Sequence, residues 1–183
     1  MVLALGASAV LSSCGGAKPI AVTQAANERE VSVPCDDQRT DKEFFRGQGV
    51  AQSRDLNTAR EKARMAANTA LAGGISTLIK QVAERYVNDA GQKPSDYSET
   101  FESLSKQVVS QQISNVSVAC NKTFQTQDGM YKVYMAVEAN KNEVFQALER
   151  GAEANKKLET IFNREKFRKN FDDEMAAFAQ SYK

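Results

Sequence analysis

Three cysteines and no histidine frame the chemistry open to this chain of 183 residues. Without imidazole there is no Ser-His-Asp or Cys-His catalysis and no zinc site built on histidine. Cys35 and Cys120 sit in similar words, Val31-Ser32-Val33-Pro34-Cys35 and Val116-Ser117-Val118-Ala119-Cys120. Outside the cytoplasm, two such cysteines usually pair. The bond would tie the N-terminal segment to a core strand and contribute about 4–5 kcal/mol in the chain-entropy model, less in practice. The alternative is two free, inert thiols; the disulfide is the expectation. The carboxylate pairs Asp36-Asp37 and Asp172-Asp173 are poor acid–base candidates. Adjacent side chains point apart on a strand and do not face one another on a helix. They read as solvated charges, and no spacing singles out a Ser–Lys dyad. Gly47-x-Gly49 lacks the third glycine of a phosphate loop and lies within a strand pattern. No catalytic residue, metal site or cofactor is expected, and the chain reads as a non-enzyme.

Cys14 belongs to a different chemistry. It follows Val2-Leu3-Ala4-Leu5-Gly6-Ala7-Ser8-Ala9-Val10, an apolar, uncharged run. That run has the length of a signal-peptide h-region and falls far short of the roughly 20 residues that span a bilayer. Leu11-Ser12-Ser13-Cys14 then resembles a bacterial lipobox. In that class of signals the thiol becomes a diacylglyceryl thioether, the peptide is cut before the cysteine, and the new amino terminus is usually acylated, with palmitate among the chains. Each buried CH₂ contributes about 0.8 kcal/mol, so two or more chains hold where one does not. No Lys or Arg precedes the run. Either the natural start lies upstream, or the likeness is coincidental and Cys14 is a buried thiol among small residues. The lipobox is the preferred reading. It makes residues 1–13 a signal peptide and residues 14–30 a tether, whose Gly-Gly-Ala-Lys-Pro opening has no sustained period.

The elements that must follow are legible in the hydrophobic period. The chain is 42% hydrophobic with a net charge of +1, which suits an ordinary core and gives no global steering toward nucleic acid. Val31–Cys35 fits a short extended piece, although Pro34 argues against a central strand. Residues 43–53 read as a first strand whose glycines let another element lie close to the backbone. Asp55 or Asn57 then caps a long helix. Its narrow stripe, Ala59, Ala63, Ala66, Ala67, Ala70 and Leu71, continues past Gly73-Gly74, a kink or a close contact, to about Tyr86. Tyr97, Phe101, Leu104 and Val108 mark a second helix to about Gln111. The period then changes to two. Val116, Val118, Cys120 and Phe124 lead through Asp128-Gly129 to Tyr131, Val133, Met135 and Val137, an antiparallel hairpin. Asn140 with Glu143 starts a third helix carrying Val144, Phe145 and Leu148.

From Gly151 the chain is highly charged, with Leu158, Ile161, Phe162, Phe167, Phe171, Met175, Phe178 and Tyr182 threaded through it. This reads as a long C-terminal amphipathic helix, with a break near Asn170. The stripe either folds back on its own domain or docks a partner; self-packing ranks first, docking second and membrane contact last. On the docking reading Phe162, Phe167, Phe171, Met175 and Phe178 are the interaction residues. The expected fold is therefore α+β, a small antiparallel sheet with helices on one face, in a domain over residues 31–150 and a charged helical tail over 151–183.

That order of elements behind a lipobox resembles a group of small bacterial outer-membrane lipoproteins that includes the flagellar basal-disk lipoprotein FlgP. The likeness covers roughly residues 44–148, and its words are Phe45-Arg46-Gly47-Gln48-Gly49 and Ala59-x-x-x-Ala63-x-x-x-Ala67. It implies a strand–helix–strand–strand unit that assembles into rings or envelope complexes, with no catalytic residues to carry over. Gly15 and Gly16, with no Asp after the cysteine, favour the outer membrane by resemblance to enterobacterial sorting rules. The functional expectation is a lipid-anchored, non-catalytic structural or assembly component. It would be held to the membrane by its anchor and partnered by further copies or another envelope protein. The alternative is a ligand- or glycan-binding lipoprotein serving a transporter; it ranks second because Phe and Tyr fall at core-like positions and Trp is absent.

Overall fold

A computed structural model describes residues 31–180. The order of elements is β1 (Phe44–Ser53), α1 (Leu56–Asp89), a 3₁₀ turn (Pro94–Asp96), α2 (Ser98–Ile113), β2 (Ser117–Gln125), β3 (Tyr131–Asn140), α3 (Lys141–Glu153), α4 (Lys156–Glu159) and α5 (Arg164–Gln180). The fold is α+β. Its three-stranded antiparallel sheet has the order β1-β3-β2, with β3 paired on both sides. Cys14, the signal-peptide segment 1–13 and the tether 14–30 lie outside the described residues.

The joint between β1 and α1 explains the glycines. On β1, Phe45, Gly47, Gly49 and Ala51 alternate toward the helix, opposite Ala139, Val137, Met135 and Val133 of β3. A Cβ added at Gly47 would collide with the Ala67 carbonyl and the Leu71 amide; one at Gly49 would collide with the Ala63 carbonyl and the Ala67 amide. Ala59, Ala63 and Ala67 are fully buried. Small residues on both sides thus let the helix axis lie almost on the strand backbone, which larger side chains would prevent.

Asp55 is the residue that caps α1, its carboxylate accepting from the Thr58 amide at 2.7 Å. The helix runs unbroken through Gly73-Gly74 to Asp89. A Cβ added at Gly73 would meet open space, and one at Gly74 would make ordinary contact with the Phe178 ring at 3.6 Å. Beyond this pair Ile75, Leu78, Ile79 and Val82 replace alanine, and α1 packs on helices instead of the strand.

In the hairpin, a register shift between Val118 and Cys120 pairs them with Val137 and Ala136. Residues two apart therefore point to opposite faces, and the single apolar face expected for β2 is split. Val31–Cys35 does not continue as an extended piece. Residues 34–37 form a turn, with Cys35 at φ 65°, the left-handed region that non-glycine residues seldom occupy.

The C-terminal amphipathic helix folds back on its own domain, the reading ranked first, but its bounds differ from those expected. The boundary placed at residue 150 falls inside α3, and residues 151–180 belong to the same compact unit as the rest of the domain. The breaks lie at residues 154–155 and 160–163, not at Asn170. Asn163 caps α5 by accepting from the Lys166 amide, while its own N–H donates to the Tyr86 hydroxyl at 2.5 Å. That hydroxyl in turn donates to the Ile161 carbonyl at 2.6 Å. Asn170 is buried inside α5, donating to Asp89 at 3.1 Å.

Candidate functional site

Phe167, Phe171 and Met175, put forward as docking residues, are each at most 1% exposed and sit in the core. Phe162 and Phe178 are half-buried against the same core. The physical reason is the space left beside α1. Phe167 meets Tyr86 edge-on at 5.2 Å, and Phe145 lies 5.4 Å from Phe171 and 6.2 Å from Phe167. Together they form an aromatic layer between α1, α3 and α5. Burial of each ring outweighs anything a rim contact with a partner would return. Self-packing, the reading ranked first, thus holds for these residues, and the second-ranked docking surface is replaced by a domain core.

Ion pairs hold α5 in that position. Lys141 reaches Asp172 at 2.7 Å, Arg85 reaches Glu174 at 2.8 Å and Asp173 at 3.7 Å, and Arg164 pairs with the buried Glu149. Burial alone would raise the Asp172 carboxyl, but hydrogen bonds from Lys141 and Arg168 outweigh it and hold the group below the ordinary carboxylate range. The Lys169 hydrogen bond likewise lowers Asp173. The pair Asp172-Asp173 is therefore a clamp between helices, with each carboxylate engaged by cations. Asp36 is paired with Arg39 at 2.7 Å, and Asp37 accepts from Gln38 at 2.9 Å. Among the described residues no cluster of His, Cys, Asp or Glu has the arrangement to hold a metal ion.

On the opposite side of the sheet, Cys35 and Cys120 form a disulfide with their Cα atoms 5.8 Å apart. This bond pins the segment 35–40 across the outer face as a strap. Gln48 donates to the Cys35 carbonyl at 2.9 Å and the Gln38 carbonyl at 3.0 Å. At the edge of β1, Thr40 Oγ1 accepts from the Arg46 amide at 3.0 Å, occupying a strand edge that would otherwise offer itself to another chain. Arg46 donates to Asp41 at 2.5 Å and to Glu138 at 2.8 Å, tying the end of the strap to β1 and β3. Burial opposes the Asp41 carboxylate, but its hydrogen bonds from Arg46 and from the Glu43 and Phe44 amides outweigh it and lower its pKa. Sequence reasoning missed the strap because its anchors, Gln48 and Arg46, look like ordinary outward residues of an alternating strand.

Among the described residues several surfaces are concave. A groove of about 690 Å³ runs between α1 and α2, floored by Ile79, Ala83, Val87 and Phe101. The ion pairs Lys80–Glu84 and Glu102–Lys106 lie on its rims. A smaller polar hollow of about 320 Å³ lies between α2 and α3, lined by Gln111, Gln112, Asn115, Glu143, Gln146 and Arg150. Among the described residues no helix is long and apolar enough to cross a membrane. Compared with protein-family models, with curated proteins and with solved structures, the chain matches none.

Proposed function

We propose that the protein is a lipid-anchored outer-membrane lipoprotein acting as a non-catalytic structural or assembly component of an envelope complex, akin to the small lipoproteins its words resemble. The observation that carries this reading is Leu11-Ser12-Ser13-Cys14 behind an apolar run too short to span. The Cys35–Cys120 disulfide supports it, since such bonds persist in oxidising compartments. So does the engagement of the candidate carboxylates in ion pairs, which suits a scaffold better than acid–base work. With the C-terminal stripe consumed by the core, assembly falls to other surfaces of the domain.

The test is fractionation and crosslinking in intact cells. The wild-type chain is expected in the membrane fraction and in one or more discrete crosslinked species. A Cys14→Ala chain is expected to be released. Unchanged membrane retention of Cys14→Ala removes the anchor; a wild-type chain that crosslinks to nothing removes the assembly role.

The groove between α1 and α2 favours a second reading, a lipoprotein that carries an apolar ligand. Its volume of about 690 Å³ lies within the range of small-molecule sites. Native mass spectrometry of protein taken from membranes would show a bound small molecule on that reading and bare protein on the first.

A further inference from the structure

The strap covers only half of the outer sheet face. Cross-strand register places Gln48, Ala136 and Cys120 in one row and Arg46, Glu138 and Ser117 in the next, and these two rows lie under the strap or bonded to it. Toward the hairpin turn the rows Val50–Tyr134–Lys122 and Gln52–Lys132–Phe124 have no such cover among the described residues. Val50 is 51% exposed and Phe124 48%, large values for apolar side chains on one surface. Phe124 packs edge-on against Tyr134 at 5.9 Å, and the Lys132 ammonium stands 5.2 Å from the Tyr134 ring centre. Lys122 and Lys132 enter no ion pair among the described residues, and no carboxylate stands in either row.

We propose that this half-face rests on a phospholipid surface of net negative charge. Charge complementarity selects the occupant. Face-to-face packing of a second copy would crowd four ammonium groups with nothing to neutralise them, whereas anionic headgroups supply the missing charge. Aromatic rings with lysines beside them suit the depth of a headgroup layer, where one end is apolar and the other wet. The inference rests on the membrane location proposed above, but not on the thioether itself.

The chain lacks tryptophan, so a single introduced indole reports on one place. The experiment uses the full chain carrying Cys14→Ala, which removes any acyl tether, with Phe124→Trp as reporter. Vesicles of phosphatidylglycerol mixed with phosphatidylethanolamine are compared with phosphatidylcholine alone. Emission from the Phe124→Trp chain is expected to shift to the blue and lose acrylamide quenching on the anionic vesicles only, and to recover at high salt. A control chain carrying Met65→Trp instead, at a position 68% exposed on the helical side, is expected to stay solvent-like in both. Adding Lys122→Gln and Lys132→Gln to the reporter chain is expected to weaken anionic-vesicle binding roughly 30-fold. Val50→Trp, across from Tyr134, gives a second reporter should Phe124→Trp disturb the hairpin. No shift from either sheet-face reporter, an equal shift on phosphatidylcholine, or an equal response from the Met65→Trp control overturns the proposal. Failure of the anchor reads separately, as a native Cys14 without fatty acid.

Discussion

Gly47 lies against Ala67 with no room for a methyl group between them: a Cβ on the strand residue would meet the carbonyl oxygen of the helix residue. The obstacle is backbone, which cannot swing aside as a side-chain tip can. The long helix and the first strand are therefore separated by a distance that only glycine permits.

Gly47→Ala and Gly49→Ala should each destabilise the domain by about 3 kcal/mol, the upper range of overpacking costs. Gly73→Ala, whose position is open, should be neutral or slightly stabilising because alanine favours the helix by roughly 1 kcal/mol. Urea midpoints of the three variants check the contrast. Equal midpoints would mean that the strand and helix are not in the close contact described.

The disulfide closes a sequence separation of 85 residues. Opening it should cost about 4–5 kcal/mol in the chain-entropy picture, less in practice. The Cys35→Ala, Cys120→Ala double variant should melt lower than the oxidised wild type and be indifferent to reductant. Alkylation of the exported, unreduced protein should find neither thiol; two modified cysteines would dispose of the strap.

Phe171 is fully buried, so Phe171→Ala should cost about 3–5 kcal/mol and broaden or abolish the melting transition. Had α5 been a docking helix, the same change would weaken association and leave stability intact. Thermal melts of Phe171→Ala beside the half-buried Phe162→Ala separate the two cases, with the larger loss expected at Phe171.

The acid limb follows from Asp41 and Asp172, whose folded-state pKa values lie below the ordinary 3.8. A lowered carboxyl stabilises the fold above its unfolded pKa, and that stability is lost as pH falls through the folded value. Stability should therefore be level from neutral pH down to about 4 and decline below it. Lys141→Met, which removes a cation from Asp172, should make the decline shallower in pH-dependent urea unfolding.

Much of the fold could be read from local pattern. The change from a 3.6-residue period to a period of two at Val116, with Asp128-Gly129 between the runs, locates the hairpin that pairs Tyr131 with Gln125. Gly47-x-Gly49 and the alanine stripe each announced a close approach, and the structure makes them two sides of one joint. What local pattern could not hold were features set from a distance. The break before α5 depends on the Tyr86 hydroxyl, 75 and 77 residues away from the groups it bonds. The bulge at Val118 reverses side-chain direction with no change in composition. The C-terminal stripe carried enough charge to look like a separate tail, because a periodic apolar face has the same signature whether its cover is its own domain or another. Compartment alone argues for pairing Cys35 with Cys120, and the geometry that joins them comes from a turn at residues 34–37 that no period marks.

Intact-mass and peptide mass spectrometry of the protein extracted from membranes addresses the anchor most directly. The mature chain is expected to begin at Cys14, with its first peptide heavier by a diacylglyceryl group and an amide-linked fatty acid. A chain that still begins upstream of Cys14, or a Cys14 peptide of unmodified mass, contradicts the anchor.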